Sequence, residues 1–401
     1  MFRTERLPNI HFNRTCRTRY SPVKHIYSND FLYKYPIRFM KGKRLMKKKY
    51  LIGFCFAVLM VVFVAGIASG REKDTSLVNT APLSNTVSLP VVLVNYEDLP
   101  PNWDEGLAPG VNWGLAAAYP EDVGITQNPY VLAAEGFETG SVTIPTEEDR
   151  YLLNTSVVSS ISYTGSYSGE HRWPEGYNGP TTRFVIPEFA HQGSQPTYFV
   201  RMCMNFDHSF HPGADNLEAG VGIKGFGIVS EPFGGGLNTP CDGTNWYDAQ
   251  VQFVGWGPSS KPEANNGYLW VGHLYSYNPY PEEAVARVGS VHATPPAVGD
   301  KPYRFSAYAE PFQYLDFGGW HCYEIGMYLN TPGSYDGEAR FWIDGVLQSR
   351  VTKIRYRDVE SLLPTDMHLN LHRTTENFPQ TMVRWTDNIV LATRYIGPVN
   401  K

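Results

Sequence analysis

From about residue 130 onward, short runs of β-forming residues alternate with turn signals, which is the pattern of strands joined by turns. The clearest runs are Tyr198–Phe206, Gly220–Val229, Tyr247–Val254, Tyr268–Tyr277, Trp320–Leu329, Ala339–Ile343, Asp366–Leu371 and Trp385–Ala392. Asp344-Gly345 separates two apolar runs and predicts a two-residue β-hairpin turn. No segment keeps the 3.6-residue apolar period of a helix, so we expect no crossover helices. The pattern predicts an all-β, antiparallel β-sandwich.

The composition agrees with a β-rich fold and excludes other classes. Aromatic residues make up 14% of the chain and charged residues only 18%, with 37 Gly and 30 Pro, which argues against a coiled coil or a charged disordered chain. Residues 1–49 hold 14 Lys and Arg against Glu5 and Asp30, a net charge of +12, and the remaining residues carry a net charge of −17. Because phosphates require a basic face, the acidic body argues against a nucleic-acid partner.

The N-terminal part reads as an export signal. Lys47-Lys48-Lys49 precedes eighteen uncharged residues, 51–68, and small residues follow up to Gly70. Residues 46–70 therefore predict either a cleaved signal peptide or, since eighteen apolar residues can just span a bilayer, a signal anchor. Met46 directly precedes the lysines, which indicates that translation starts there; the alternative is that residues 1–45 are translated as a basic extension. Residues 71–129 are predicted to be a Pro-rich linker, and 130–401 the folded domain. We expect a secreted or surface-anchored protein, with a membrane contact only through this segment if it stays uncleaved.

Export allows disulfides, and three cysteines lie beyond the signal. An odd number leaves room for at most one intrachain disulfide. We predict that Cys203 pairs with Cys241 and that Cys322 is a buried free thiol.

Alternation within the strands predicts a polar sheet face, because successive side chains of a strand point to opposite faces. Apolar residues alternate with Gln250 and Gln252 in one run, and with His368, Asn370 and His372 in another. Arg201 occupies a similar position in Tyr198–Asp207. Amide, imidazole and guanidinium groups suit a polysaccharide, whose hydroxyls need fixed donors and acceptors. The alternative is an ordinary solvated sheet face.

Three segments in order resemble motifs of polysaccharide lyase family 14 and related alginate and glucuronan lyases. They are Arg172-Trp173-Pro174-Glu175-Gly176-Tyr177, Tyr198-Phe199-Val200-Arg201 and Gly222-Ile223-Lys224-Gly225-Phe226-Gly227-Ile228. The resemblance covers roughly residues 130–398. It implies a β-jelly roll of the concanavalin A-like lectin/glucanase superfamily that cuts a uronate chain by β-elimination.

The resemblance also implies roles for particular residues. The catalytic lysine of the family corresponds to Lys224, as a base or an electrostatic group. Where the family has Ser-x-Arg, this chain has Asp248-Ala249-Gln250, so Gln250 and Arg201 are the candidates for contacting the carboxylate. The paired tyrosines of the family correspond either to Trp270 and Gly272 or to Tyr275 and Tyr277, and His273 shares a face with the latter pair.

The missing arginine and the added aspartate keep two alternatives open. One is a carbohydrate-binding module without catalysis, and the other is a structural cell-surface protein. We expect no cofactor for catalysis, and we expect a monomer. Glu138 and Asp387 would be neighbours in a closed jelly roll, where two carboxylates could bind a structural calcium ion.

Overall fold

The computed structural model describes residues 104–144, 155–176, 181–185, 196–210, 221–230, 239–256, 259–265, 269–294, 304–370 and 380–401. The predicted export signal and residues 71–103 of the predicted linker lie outside this part of the chain. Within it, no helix is both long enough and apolar enough to cross a membrane.

The described residues form sixteen strands and a few short 3-10 turns. The strands are β1 (Val131–Glu135), β2 (Thr155–Val158), β3 (Ser168–Trp173), β4 (Thr181–Val185), β5 (Thr197–Phe206), β6 (Val221–Ser230), β7 (Tyr247–Trp256), β8 (Leu269–Tyr277), β9 (Val285–Val288), β10 (Ser290–Thr294), β11 (Arg304–Tyr308), β12 (Trp320–Tyr328), β13 (Gly337–Ile343), β14 (Val346–Ile354), β15 (Asp366–Asn370) and β16 (Met382–Ala392). The 3-10 turns are Leu115–Ala118, Pro120–Asp122, Ile125–Gln127 and Pro281–Glu283.

Two antiparallel sheets make up the fold. The nine-stranded sheet has the order β2-β3-β16-β5-β12-β13-β14-β9, with β1 also paired to β16. The seven-stranded sheet has the order β10-β11-β8-β7-β6-β15-β4. The predicted antiparallel β-sandwich is confirmed, and each of the eight predicted runs is a strand.

The core lies between the two sheets and uses alternate residues of each strand. In β5 it takes Val200, Met202 and Met204, and in β7 it takes Val251 and Phe253. This alternation follows from the two-residue period of a strand. Polar residues at the intervening positions of β7 therefore lie on the opposite face of the seven-stranded sheet.

The predicted hairpin is confirmed in detail. Ile343 of β13 pairs with Val346 of β14, which leaves two residues in the turn. Asp344 and Gly345 both have left-handed backbone angles, with φ of 49° and 77°. A two-residue turn of this kind needs positive φ at both positions, which Asp-Gly supplies at low cost.

The predicted cysteine pairing is wrong. Cys203 of β5 forms a disulfide with Cys322 of β12, 119 residues later in the sequence. The two residues lie directly opposite each other in adjacent strands. Cys241 is instead the buried thiol outside this disulfide and packs against Trp246. Strand order decides the pairing, because it brings residues together that are distant in the sequence.

Residues 104–130 pack on the outer face of the nine-stranded sheet, although the sequence-based boundary assigns most of them to the linker. The backbone N–H of Leu115 donates to the carbonyl of Tyr395 at 3.1 Å, and that of Ala116 to Ile396 at 2.9 Å. The indole N–H of Trp342 donates to the carbonyl of Gly106 at 2.7 Å. This segment therefore covers side chains of the sheet that would otherwise face water.

Candidate functional site

The side chains of the seven-stranded sheet that point away from the core form a surface that we call the polar face. Directly opposite residues in an antiparallel sheet lie on the same face, so the strand register arranges these side chains in rows. The rows across adjacent strands are Lys224–Gln252–His273, then Gln250–Tyr275–Ser306, and then Asp248–Tyr277–Arg304. The register thus brings together the side chains of Lys224, Gln250, Gln252, His273, Tyr275 and Tyr277.

Lys224 points to the polar face because of a β-bulge. The register of β6 shifts between Lys224 and Phe226, so that Gly225 is an extra residue in the strand. Ile223 and Phe226 both enter the core, and Lys224 lies opposite Gln252. The ammonium nitrogen of Lys224 lies 5.5 Å from the ring centroid of Tyr277. The lysine is therefore fixed over the neighbouring strands rather than extended into solvent.

Tyr275, Tyr277 and Arg304 form a hydrogen-bonded group. The Tyr275 hydroxyl donates to the Tyr277 hydroxyl at 2.9 Å, and Nη1 of Arg304 donates to the Tyr275 hydroxyl at 3.0 Å. Burial raises the pKa of Tyr275, and the guanidinium of Arg304 opposes part of that rise. Burial also raises the pKa of Tyr277. Both phenols therefore keep their protons at neutral pH, and Arg304 favours the anionic form of Tyr275 over that of Tyr277.

Asp248 places a carboxylate beside this group, and neighbouring N–H donors satisfy it. Nε2 of Gln250 donates to Oδ2 of Asp248 at 3.0 Å, and the backbone N–H of Tyr277 donates to Oδ1 at 3.2 Å. These bonds fix the orientation of the Gln250 amide. Its Oε1 is buried and accepts no hydrogen bond among the described residues.

His273 is buried and uncharged at neutral pH. Burial lowers its pKa to about 3. Its ring stacks on Tyr308 with the centroids 4.5 Å apart, and within the described part of the chain Nδ1 has no hydrogen-bond partner. The imidazole can therefore act as a neutral hydrogen-bonding group or accept a proton, but it does not contribute a positive charge to the free protein.

The predicted catalytic side chains of the polar face are largely buried, whereas Arg304 and Tyr308 at its β11 edge are partly exposed. Lys224 is 9% exposed, and the other predicted catalytic side chains are less exposed still. Part of the cover is residues 239–246, where Trp246 packs on Tyr277 with ring centroids 5.2 Å apart. Burial lowers the effective dielectric constant around these side chains, which strengthens their electrostatic interactions.

The structure separates Arg201 from these residues and corrects its predicted role. Arg201 lies in β5 of the nine-stranded sheet and is fully buried on that sheet's outer face. Its guanidinium forms an ion pair with Asp122 and donates to the carbonyl of Gly397 at 3.0 Å. The two-residue alternation of β5 was read correctly, but alternation does not reveal which sheet a strand joins. Arg201 holds residues 104–130 and the C-terminal segment, residues 393–401, in place.

The remaining predicted substrate contacts lie on β15 or after it. His368 is buried on the polar face opposite Gly227. Asn370 ends β15 and pairs with Thr181 through the backbone, and its side chain lies outside the described residues. His372 lies outside them altogether.

The carboxylates of Glu138 and Asp387 both accept hydrogen bonds from backbone N–H groups of the loop 163–167. Asp387 accepts N–H bonds from Tyr163 at 2.8 Å and Thr164 at 3.2 Å, and Glu138 accepts from Ser166 at 3.0 Å. Burial raises the pKa of Asp387 to about 7, and the charge of Glu138 adds to that rise. Among the described residues there is no cluster of three or more His, Cys, Asp or Glu side chains suited to a metal. The calcium site stays a prediction.

Sequence reasoning missed Arg304 and Tyr308 on the polar face. Both belong to β11, in which Phe305 and Ala307 enter the core and the intervening residues do not. The alternation Arg-Phe-Ser-Ala-Tyr carries the signal for this strand. Its position beside β8 could not be read from the sequence, because it depends on the sheet order.

No protein-family model and no curated protein matches the chain. Among solved structures it is similar to an alginate lyase from Chlorella virus, with 12% identity and a TM-score of 0.47 over 66% of this chain and 99% of that chain. It is also similar to the marine PL-14 alginate lyase from Aplysia kurodai, with 14% identity and a TM-score of 0.46 over 66% of this chain and 99% of that chain. The third is an endo-β-1,4-glucuronan lyase from the fungus Trichoderma reesei, with 13% identity and a TM-score of 0.37 over 66% of this chain and 95% of that chain. These structural neighbours are alginate and glucuronan lyases by name.

Proposed function

We propose that this protein binds a uronate-containing polysaccharide at the polar face and cleaves it by β-elimination. One observation carries the proposal: Lys224, Gln252 and His273 form one row across three adjacent strands, and Tyr275 with its Arg304 partner stands in the neighbouring rows. This elimination needs groups of these kinds: a cation, amides, an uncharged imidazole, and a phenol beside a guanidinium. The substrate class follows from the resemblance to family 14 lyases.

Elimination breaks the C5–H and C4–O4 bonds of the uronate and forms a C4–C5 double bond. Lys224 and the second N–H of the Gln250 side-chain amide would stabilise the negative charge that develops on the carboxylate when the C5 proton leaves. Tyr275 would protonate the departing O4, because Arg304 stabilises the phenolate that results. In the free protein Tyr275 donates this proton to a hydrogen bond with Tyr277, and that bond breaks when Tyr275 donates to O4 instead.

His273 is our candidate for accepting the C5 proton. With a pKa of about 3 it is a weak base in the free protein, but it is in the unprotonated form that a base requires. A bound carboxylate nearby favours the charged form of the imidazole and so raises its pKa towards the working pH. Substrate binding would thus activate the base.

We also propose that the protein is exported, as the segment 46–70 predicts. The Cys203–Cys322 disulfide supports this, because disulfides persist in oxidising compartments and are rare in the cytosol.

A second candidate is a carbohydrate-binding module that does not cleave its ligand. The specific observation in its favour is Asp248, whose buried carboxylate stands in the row of Tyr277 and Arg304. A carboxylate at this position repels an anionic substrate and offsets the charge of Arg304. Such a face would suit a neutral glycan better than a uronate.

The test is to incubate the purified protein with polymannuronate, polyguluronate and glucuronan and to follow the ultraviolet absorbance of the unsaturated uronate product. We expect absorbance to rise with at least one polymer, and Lys224→Ala to slow the rise by about 100-fold or more. A flat trace with all three polymers, together with retention on polysaccharide gels, would establish the binding module instead.

Lys261→Ala is the matched control. The ammonium nitrogen of Lys261 also lies 5.5 Å from an aromatic centroid, that of Tyr314, but this lysine is exposed and belongs to the connection between β7 and β8 rather than to the rows of the polar face. Loss of this lysine should leave the rate unchanged. Unaltered circular dichroism and melting temperature would show that Lys224→Ala folds, and full activity of that variant would refute the role of Lys224.

A further inference from the structure

A second concave site lies on the outer face of the nine-stranded sheet, across the sandwich from the polar face. It is a pocket of about 380 Å³ where residues 104–130 cross the C-terminal segment. Its lining includes Glu105, Trp113, Ala118, Asn128 and Arg394. The proposed elimination uses none of these residues.

Trp113 is the most unusual part of this lining. Its side chain is 57% exposed, although tryptophan is among the residues that proteins bury most on average. The backbone around it is fixed, because Asn112 and Leu115 on either side donate their N–H groups to Gly345 and Tyr395. An exposed indole on a rigid backbone offers a flat apolar surface at little entropic cost.

Opposite charges in the pocket compensate each other. Arg394 forms an ion pair with Glu105, and both side chains are about a quarter exposed, at 28% and 26%. The guanidinium also lies 4.8 Å from the ring centroid of Tyr130. The pocket therefore presents hydrogen-bond donors and acceptors without net charge, so it does not select for an anion.

We propose that this pocket binds one sugar ring of a polysaccharide, with a face of the pyranose stacked on Trp113 and its hydroxyls bonded to the Arg394–Glu105 pair and Asn128. The C–H face of a pyranose is apolar and its hydroxyls are both donors and acceptors, which matches an indole beside a neutral ion pair. The inference extends the proposed function, because it adds a contact that holds the polymer without cleaving it.

The experiment measures retention by affinity electrophoresis in gels that contain glucuronan or carboxyl-reduced glucuronan, a neutral chain of the same linkage. All variants carry Lys224→Ala, so that cleavage of the polymer is slowed during the measurement. We expect Trp113→Ala to weaken the apparent affinity for both polymers by about 5- to 10-fold. Ala118→Met, which fills the pocket without adding charge, should weaken it to a similar extent.

Tyr335→Ala is the control, because Tyr335 is another exposed aromatic residue, at 39%, that does not line the pocket. This variant should bind like the parent. Equal retention of Trp113→Ala and the parent, or no retention of the parent on either gel, would overturn the inference. The outcomes separate it from the proposed function: elimination with an unaltered Trp113→Ala affinity refutes only the pocket, and Trp113-dependent binding without elimination refutes only the lyase.

Discussion

At the scale of single residues, the polar face obtains its guanidinium from an unexpected strand. The resemblance to family 14 lyases implies an arginine on β7, where this chain has Gln250. Arg304 comes instead from β11, on the far side of β8, and donates to the Tyr275 hydroxyl at 3.0 Å. The same face of the sheet therefore carries a guanidinium although the local motif lacks one.

We predict that Arg304→Ala lowers the elimination rate by roughly 100- to 1,000-fold, because the phenolate of Tyr275 loses its stabilising cation. Burial already raises the pKa of Tyr275, and removal of Arg304 raises it further. The alkaline limb of the pH–rate profile should therefore move to higher pH. Arg287→Ala, in which an exposed arginine of β9 is removed, is the control and should behave like the parent. An unchanged rate and pH profile for Arg304→Ala would exclude the role we assign to this residue.

At the scale of strands, the alternation of apolar and polar residues predicted most strands. The neighbours of each strand depend on long-range pairing, which this alternation does not reveal. The strands β5, β7, β8 and β12 match their predicted runs to within two residues at each end. The faces of Gln250 and Gln252 followed from the same pattern. The position of Arg201, the contribution of Arg304 and the partner of Cys203 could not follow, because each depends on which strands become neighbours. Sheet order is a property of the folded chain and has no local signature.

The contribution of the disulfide to stability can be measured. It links β5 to β12 across 119 residues, so breaking it releases a long loop of the unfolded chain. We expect the double variant Cys203→Ser/Cys322→Ser to lose about 2–4 kcal/mol in the free energy of unfolding, as measured by urea denaturation.

Peptide mapping of alkylated protein provides the control for this pairing. Cys241 is buried and lies outside the disulfide, so it should be labelled only after unfolding, while Cys203 and Cys322 should be labelled only after reduction. Labelling of Cys322 in unfolded but unreduced protein would contradict the structure. It would support the Cys203–Cys241 disulfide that the sequence analysis predicts.

At the scale of the whole molecule, buried carboxyl groups join the sandwich to the segments that cover it. Glu324 of β12 is buried and accepts N–H bonds from Ile396 at 2.8 Å and Gly397 at 2.9 Å, which fixes the C-terminal segment on the sheet. Asp387 of β16 does the same for the loop 163–167. Burial raises the pKa of Glu324 to about 8 and that of Asp387 to about 7. The segments that complete the nine-stranded sheet are thus held by groups that titrate near neutral pH.

This arrangement predicts that the protein loses stability as the pH rises from 6.5 to 8. Both carboxyls bind protons more tightly in the folded state, so their contribution is complete below the unfolded pKa of about 4 and is lost as the pH passes the folded pKa values. His273, with its lowered pKa, acts in the opposite direction, but only below about pH 6.5. We therefore expect thermal unfolding to show a falling melting temperature between pH 6.5 and 8, with Glu324 contributing on the order of 1–2 kcal/mol to the change.

Glu324→Gln imitates the protonated carboxyl and should flatten this dependence, whereas Glu282→Gln, an exposed control, should not. A Glu324→Gln protein whose melting temperature falls as steeply as that of the parent would show that this carboxyl does not titrate in the window.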